Sequence, residues 1–181
     1  SLENDDFGLS YISYGPRMSA SLQLTAKNHL SSSATYEWRD NLQSGGTDGT
    51  ALMFDAAWTH GFNSSLSGTL ISGYDVINSD VDQQSYNSIT GGLSIYRELP
   101  FGITTNASAI IAKNDFEGYY ALAGAFRKDK RLTGSVQVTK RDWNLYGFAP
   151  SLSYTYTNNL SNISLYDFDN HAVDFRLTKD F

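Results

Sequence analysis

The sequence contains no cysteine, which excludes disulfide scaffolds, cysteine-ligated zinc sites and thiol nucleophiles. Basic residues are scarce: 13 lysines and arginines stand against 19 aspartates and glutamates, and the formal net charge is −6. A nucleic-acid-binding domain carries the opposite balance, so we expect no nucleic-acid partner. Only 18% of the 181 residues are charged, whereas 14% are aromatic. This composition favours β-strands over helices.

Long apolar runs are also missing. No segment reaches the roughly 20 apolar residues that a membrane-spanning helix requires. The mean hydropathy of −0.36 is that of an ordinary soluble chain. Neither observation excludes a transmembrane β-barrel, because only alternate residues of its strands face lipid.

Apolar and polar residues instead alternate in segment after segment, with the two-residue period of a β-strand. The clearest case is 132–140, in which one face is apolar and the other carries hydroxyl and amide groups. Gly, Pro, Asn and Asp punctuate the connections between such segments. The pattern predicts no helix and eleven strands: 7–14, 17–27, 32–39, 51–62, 65–76, 85–97, 102–113, 118–127, 131–140, 148–157 and 171–181.

The positions of large and small residues distinguish two all-β architectures. Aromatic residues lie near the predicted strand ends, as at Trp38, Trp58 and Tyr96, while Gly91 and Ala109 occupy strand middles. A soluble sandwich places its largest side chains mid-strand, whereas an outer-membrane barrel collects aromatic residues at its two interfaces with water. We therefore predict an antiparallel up-and-down transmembrane β-barrel, surrounded by the lipids of a bacterial outer membrane.

The last predicted strand is amphipathic and ends on an aromatic residue. Val173, Phe175, Leu177 and Phe181 share one face, interrupted only by Lys179. This arrangement resembles the C-terminal assembly signal of bacterial outer-membrane barrels. We predict that these apolar residues are recognised by the barrel-assembly machinery through β-strand pairing.

Five charged residues fall on the polar face of the predicted strands, and we predict that they point into the barrel lumen. They are Glu37, Arg39, Arg127, Asp174 and Arg176. Such charges stabilise a barrel or define a polar path for a passenger. The histidines lack the paired spacing of metal ligands, so we expect no metal, cofactor or catalytic residue. An outer-membrane hydrolase or acyltransferase is the least favoured alternative.

The C-terminal 35 residues, 147–181, carry a family resemblance. A Gly-Phe-Ala-Pro segment at 147–150 leads into a strand with alternating tyrosines, followed by Ser-Asn-Ile-Ser-Leu-Tyr-Asp-Phe at 161–168 and the terminal Phe181. This run resembles the C-terminal end of the surface lipoprotein assembly modifier family. The basic run 127–131 more weakly resembles a turn found earlier in the barrels of this family. The resemblance implies a barrel that helps a surface lipoprotein, its client, to cross the outer membrane.

The extent of the barrel stays open at this point. Eleven strands is an odd number, whereas single-chain bacterial barrels have even numbers. If 161–168 forms a twelfth strand, residues 1–181 close alone as a small structural, adhesive or pore-forming barrel. Otherwise the chain is the C-terminal part of a larger barrel, such as a 14-stranded one, which in this family usually follows a periplasmic helical-repeat domain.

Overall fold

The computed structural model describes residues 11–41, 47–143 and 148–178. They form ten β-strands in one antiparallel up-and-down sheet, in which consecutive strands from β2 to β10 are neighbours. The predicted all-β, up-and-down class is confirmed. The strands are β1 Tyr11–Tyr14, β2 Arg17–Thr25, β3 Asn28–Asn41, β4 Gly49–Asn63, β5 Leu66–Ser79, β6 Tyr86–Leu99, β7 Ile103–Tyr120, β8 Ala125–Lys140, β9 Ala149–Ser161 and β10 Phe168–Thr178.

β1 and β2 together form one edge of the sheet, because both pair with β3 in a single continuous register. Pro16 interrupts the ladder since it has no N–H, but its carbonyl accepts a hydrogen bond from the Tyr36 N–H at 3.0 Å. A Cβ on Gly15 would lie 1.9 Å from the Tyr36 carbonyl oxygen, so only glycine fits this close approach. The two edges of the sheet, β1/β2 and β10, run in the same direction.

The connections differ between the two ends of the sheet. At the short-turn end, two or three residues join β2 to β3, β4 to β5 and β6 to β7, while eight residues, 141–148, join β8 to β9. At the opposite, long-loop end, the β5–β6 and β9–β10 connections each contain one turn of 3-10 helix, Asp82–Gln84 and Ser164–Tyr166. The alternative in which 161–168 forms a twelfth strand is therefore wrong, because local hydrogen bonds close this segment into a turn.

The predicted strand 118–127 is also wrong. It is the tip of the β7–β8 hairpin, with a turn over 121–124. Gly124 has a positive φ of 64°, and its N–H donates to the Tyr120 carbonyl at 2.8 Å. Larger apolar residues continue to alternate with small ones through this turn, as Tyr120, Leu122 and Phe126 do with the alanines between them, which is why periodicity alone misses it.

The run 127–131, related above to a turn, lies inside β8. Most other predicted strands match observed ones to within a few residues, while 7–10 and 179–181 lie outside the described residues. No helix in the described part of the chain is long and apolar enough to cross a membrane.

Burial is reversed relative to an ordinary soluble domain. Among the described residues, the buried hydrophobic side chains are Ala51 and Ile77. Most buried residues are polar: Ser85, Ser88, Asn114, Asp129, Ser151 and Asn159. Large apolar side chains are exposed instead, with Met18 at 77% and Ile89 at 62%. The sheet therefore buries polar groups and exposes large apolar side chains.

Candidate functional site

Strand register sorts the side chains into two faces. The apolar face contains Val136 and the residues in register with it, and one of its cross-strand rows runs through Leu30, Trp58, Leu70 and Leu93. The polar face contains Ser135 and its cross-strand neighbours Ser108 and Thr155. Because side chains alternate along a strand, each strand contributes to both faces.

Hydrogen bonds between neighbouring strands tie the polar face together. Short hydroxyl and amide side chains meet across the ladder at distances from 2.7 to 3.0 Å. The pairs are Thr59–Thr69, Ser94–Asn106, Ser108–Ser135, Gln137–Ser151 and Thr139–Ser151. These small, mutually satisfied groups form a polar surface along the length of the strands.

The strongest electrostatic feature of this face is a cluster around Arg127 at the long-loop end. The Arg127 Nε donates to Asp129 at 3.0 Å, and the Asp129 side chain is fully buried. The guanidinium lies 3.5 Å from the centre of the Tyr166 ring and 4.2 Å from that of Phe116. Asn159 Nδ2 donates to the Tyr166 carbonyl at 2.8 Å. The cluster fixes the β9–β10 connection against β7 and β8.

The predicted lumen charges all lie on the polar face, in three separate places. Arg39 Nη2 bonds Glu37 Oε2 at 3.2 Å on β3. Arg127 belongs to the cluster just described. Asp174 and Arg176 are exposed on the edge strand β10, opposite Ser153 and Ser151 respectively. That this face lines a lumen stays a prediction.

Sequence reasoning misses most of the cluster, because the predicted strands 118–127 and 131–140 leave 128–130 as a connection. The signal was nevertheless present. Arg127, Asp129 and Arg131 continue the same alternation that places Thr133 and Ser135 on the polar face. The contributions of Phe116, Asn159 and Tyr166 carry no such signal, because they depend on register between strands.

The predicted assembly signal lies on the free edge of the sheet. Val173, Phe175 and Leu177 are 70%, 67% and 52% exposed on the apolar face of β10. β10 pairs with β9 and has no second strand partner among the described residues. Phe181 lies outside the described residues, and recognition by the assembly machinery stays a prediction.

The histidines occupy separate positions, each bonded to a polar neighbour. The pairs are His29–Ser21 at 2.7 Å, His60–Asn28 at 2.9 Å and His171–Tyr154 at 2.6 Å. Within the described ranges, no group of three or more histidine and acidic side chains is placed to hold a metal ion. The His29–Ser21 pair is exposed on the polar face.

The apolar face has a defined height. On β8, Lys130 and Lys140 bound a stretch whose apolar-face residues are Leu132, Gly134, Val136 and Val138. The two lysines are ten residues apart in sequence, about 33 Å along a strand. At a barrel tilt of about 40°, this separation spans about 25 Å along the barrel axis, the height of the apolar band of outer-membrane barrels.

Aromatic clusters flank the apolar face at both ends. At the long-loop end Tyr14 stacks on Trp38 with ring centres 5.7 Å apart, and Tyr36 meets Trp38 edge to face at 4.8 Å. Trp58, His60 and Phe62 form a matching group at the short-turn end, with separations of 5.9 and 4.8 Å. Rings at both borders of an apolar band are typical of strands that meet two water interfaces.

Comparison with known families agrees with this arrangement. The sequence profile of the surface lipoprotein assembly modifier family matches residues 4–181, nearly the whole chain. The chain belongs to this family. No curated protein matches it. Membership confirms the resemblance of the C-terminal 35 residues and supports a role of the chain in surface lipoprotein assembly in general.

Proposed function

We propose that the chain forms part of the wall of an outer-membrane β-barrel that helps lipoproteins cross this membrane. The observation that carries the proposal is the reversal of burial. Asp129 and Asn159 are buried on the polar face, while Val173 and Ile89 are exposed on the apolar face. An exposed apolar surface of this extent is unstable in water and stable in lipid.

Strand direction supports a barrel larger than the described sheet. β1/β2 and β10 run in the same direction, so joining these edges directly would create a parallel pair. Bacterial barrels are antiparallel throughout, and antiparallel closure here requires an odd number of further strands. We assign the chain to one portion of a larger barrel rather than to a small barrel that closes by itself.

The polar face supplies the transport path in this proposal. Its hydroxyl and amide groups hydrogen-bond one another, and its cluster around Arg127 pairs the buried carboxylate with a guanidinium. A passenger in contact with this surface exchanges hydrogen bonds without exposing its backbone to lipid, where each unsatisfied group costs several kcal/mol. The role proposed for the protein is non-enzymatic. Its polar face provides a path for the lipoprotein, and β10 provides a strand edge that is free in the part of the chain that the structure describes.

The test is surface display of a lipoprotein. The natural full-length protein is expressed in a Gram-negative host together with each lipoprotein encoded beside its gene. We expect at least one of these lipoproteins to become accessible to protease and antibody on intact cells only when the barrel protein is present. A periplasmic protein serves as the control for membrane integrity. Equal accessibility without the barrel protein would contradict the proposal.

A further inference from the structure

Two lysines interrupt the apolar face near the long-loop end. Lys113 on β7 and Lys130 on β8 lie directly opposite each other, and both are exposed. Their neighbours in the same cross-strand row are apolar: Ile89 on β6 lies beside Lys113, and Leu160 on β9 lies beside Lys130. Two cations with apolar side chains on both sides form an unusual surface, because like charges directly opposite each other destabilise a strand pair.

The surrounding charges only partly offset this pair. Lys113 Nζ bonds Asp115 Oδ2 at 2.8 Å, and Lys128 lies opposite Asp115. Within the described residues, neither Lys128 nor Lys130 has an ion-pair partner. Glu117 accepts a hydrogen bond from Asn87 Nδ2 at 3.4 Å. Three lysines thus stand against two carboxylates, so the cluster keeps a net positive charge.

Lys113 and Lys130 mark the border of the apolar band at the long-loop end. One step toward the middle of the strands lie Ile111 and Leu132, which are 59% and 41% exposed. Three of the four connections at the short-turn end have two or three residues, and outer-membrane barrels have short turns on the periplasmic side, so the long-loop end faces outward. The lysines therefore lie at the level of the head groups in the outer leaflet. This step rests on the membrane location in the proposed function.

We propose that this surface binds a phosphorylated glycolipid of the outer leaflet. A phosphate lies between Lys113 and Lys130 and relieves their mutual repulsion. The acyl chains extend from it along Ile111 and Leu132. Ile89 supports the lipid on one side of the lysine row. A soluble anion would use the lysines alone, whereas this combination of cations and exposed apolar residues fits an amphipathic ligand.

The experiment measures binding of lipid A by the natural full-length protein, purified in detergent micelles. The probes are bisphosphorylated lipid A, dephosphorylated lipid A and inorganic phosphate. We expect tight binding of the bisphosphorylated lipid alone. The double variant Lys113→Gln/Lys130→Gln should bind it about 30-fold more weakly. Lys113→Arg/Lys130→Arg should retain binding, and Lys140→Gln at the opposite border of β8 is the matched control.

Three outcomes would overturn the proposal. Equal binding of dephosphorylated lipid A would remove the role of the phosphate. Unchanged binding by the double glutamine variant would place the lipid elsewhere. Competition by inorganic phosphate at the concentration of the lipid would assign the site to a free anion. Binding to the purified protein is read without any lipoprotein, so failure of the display assay leaves it unchanged and overturns the transport role alone.

Discussion

Placing an arginine on the apolar face gives the most direct test of the membrane location. Val136 lies near the middle of the stretch between Lys130 and Lys140, and it is 48% exposed between Ala107 and Tyr154. A lipid-facing arginine at the bilayer midplane costs about 2–4 kcal/mol. Val136→Arg should therefore lower the folded-to-unfolded ratio by about 30- to 900-fold.

Two further substitutions separate lipid exposure from simple disruption of packing. Thr155→Arg adds the same side chain at nearly the same depth, but on the polar face, where it stays hydrated. Val138→Arg lies on the apolar face closer to Lys140, where the cost falls toward about 0–1 kcal/mol. We expect Val136→Arg to be the most destabilising of the three, followed by Val138→Arg, with Thr155→Arg close to the unsubstituted protein.

The assay is guanidinium unfolding of the natural full-length protein in phospholipid vesicles, followed by tryptophan fluorescence. The midpoints and slopes give the free energy of unfolding for each variant. If Val136→Arg and Thr155→Arg differ by less than about 0.5 kcal/mol, the two faces experience the same solvent. The assignment of the apolar face to lipid would then be refuted, because the depth and side-chain volume of the two substitutions are matched.

Three other predictions follow from single residues. Asp129→Asn should destabilise the folded protein by about 3 kcal/mol in the same unfolding assay, because the half-buried guanidinium of Arg127 loses its charged partner; Asp115→Asn, at an exposed pair, should cost less than about 1 kcal/mol. Gly15→Ala should weaken pairing of the β1/β2 edge, since its Cβ would lie 1.9 Å from the Tyr36 carbonyl oxygen, and faster backbone amide exchange at 11–14 would report this loss. Phe181→Ala should reduce the amount of folded, heat-modifiable barrel in outer-membrane fractions, and wild-type abundance would contradict the assembly-signal prediction.

The two-residue period of the sequence predicts most of the strands and the face on which each side chain lies. In β8 it assigns Leu132 and Val136 to one face and Thr133 and Ser135 to the other, and register places each with neighbours of the same kind. Side-chain alternation is a local property of an extended chain, so it is available from sequence. The hairpin tip at 121–124 cannot be predicted in this way, because its small and apolar residues continue the alternation, while the chain reverses with a positive φ at Gly124.

The same limit applies to the functional surfaces. Alternation assigns a residue to a face, but its cross-strand neighbour depends on where the chain turns. A turn at 128–130 would place Asp129 and Lys130 outside the strand. Residues 125–126 could then not pair with β7 as they do in the observed hairpin. With the turn at 121–124, both residues belong to β8. Asp129 pairs with Arg127, and Lys130 lies opposite Lys113. The position of this turn therefore determines both the buried ion pair of the polar face and the lysine row of the apolar face. A variant that relocates this turn should lose the Asp129 pair and the lipid A site together.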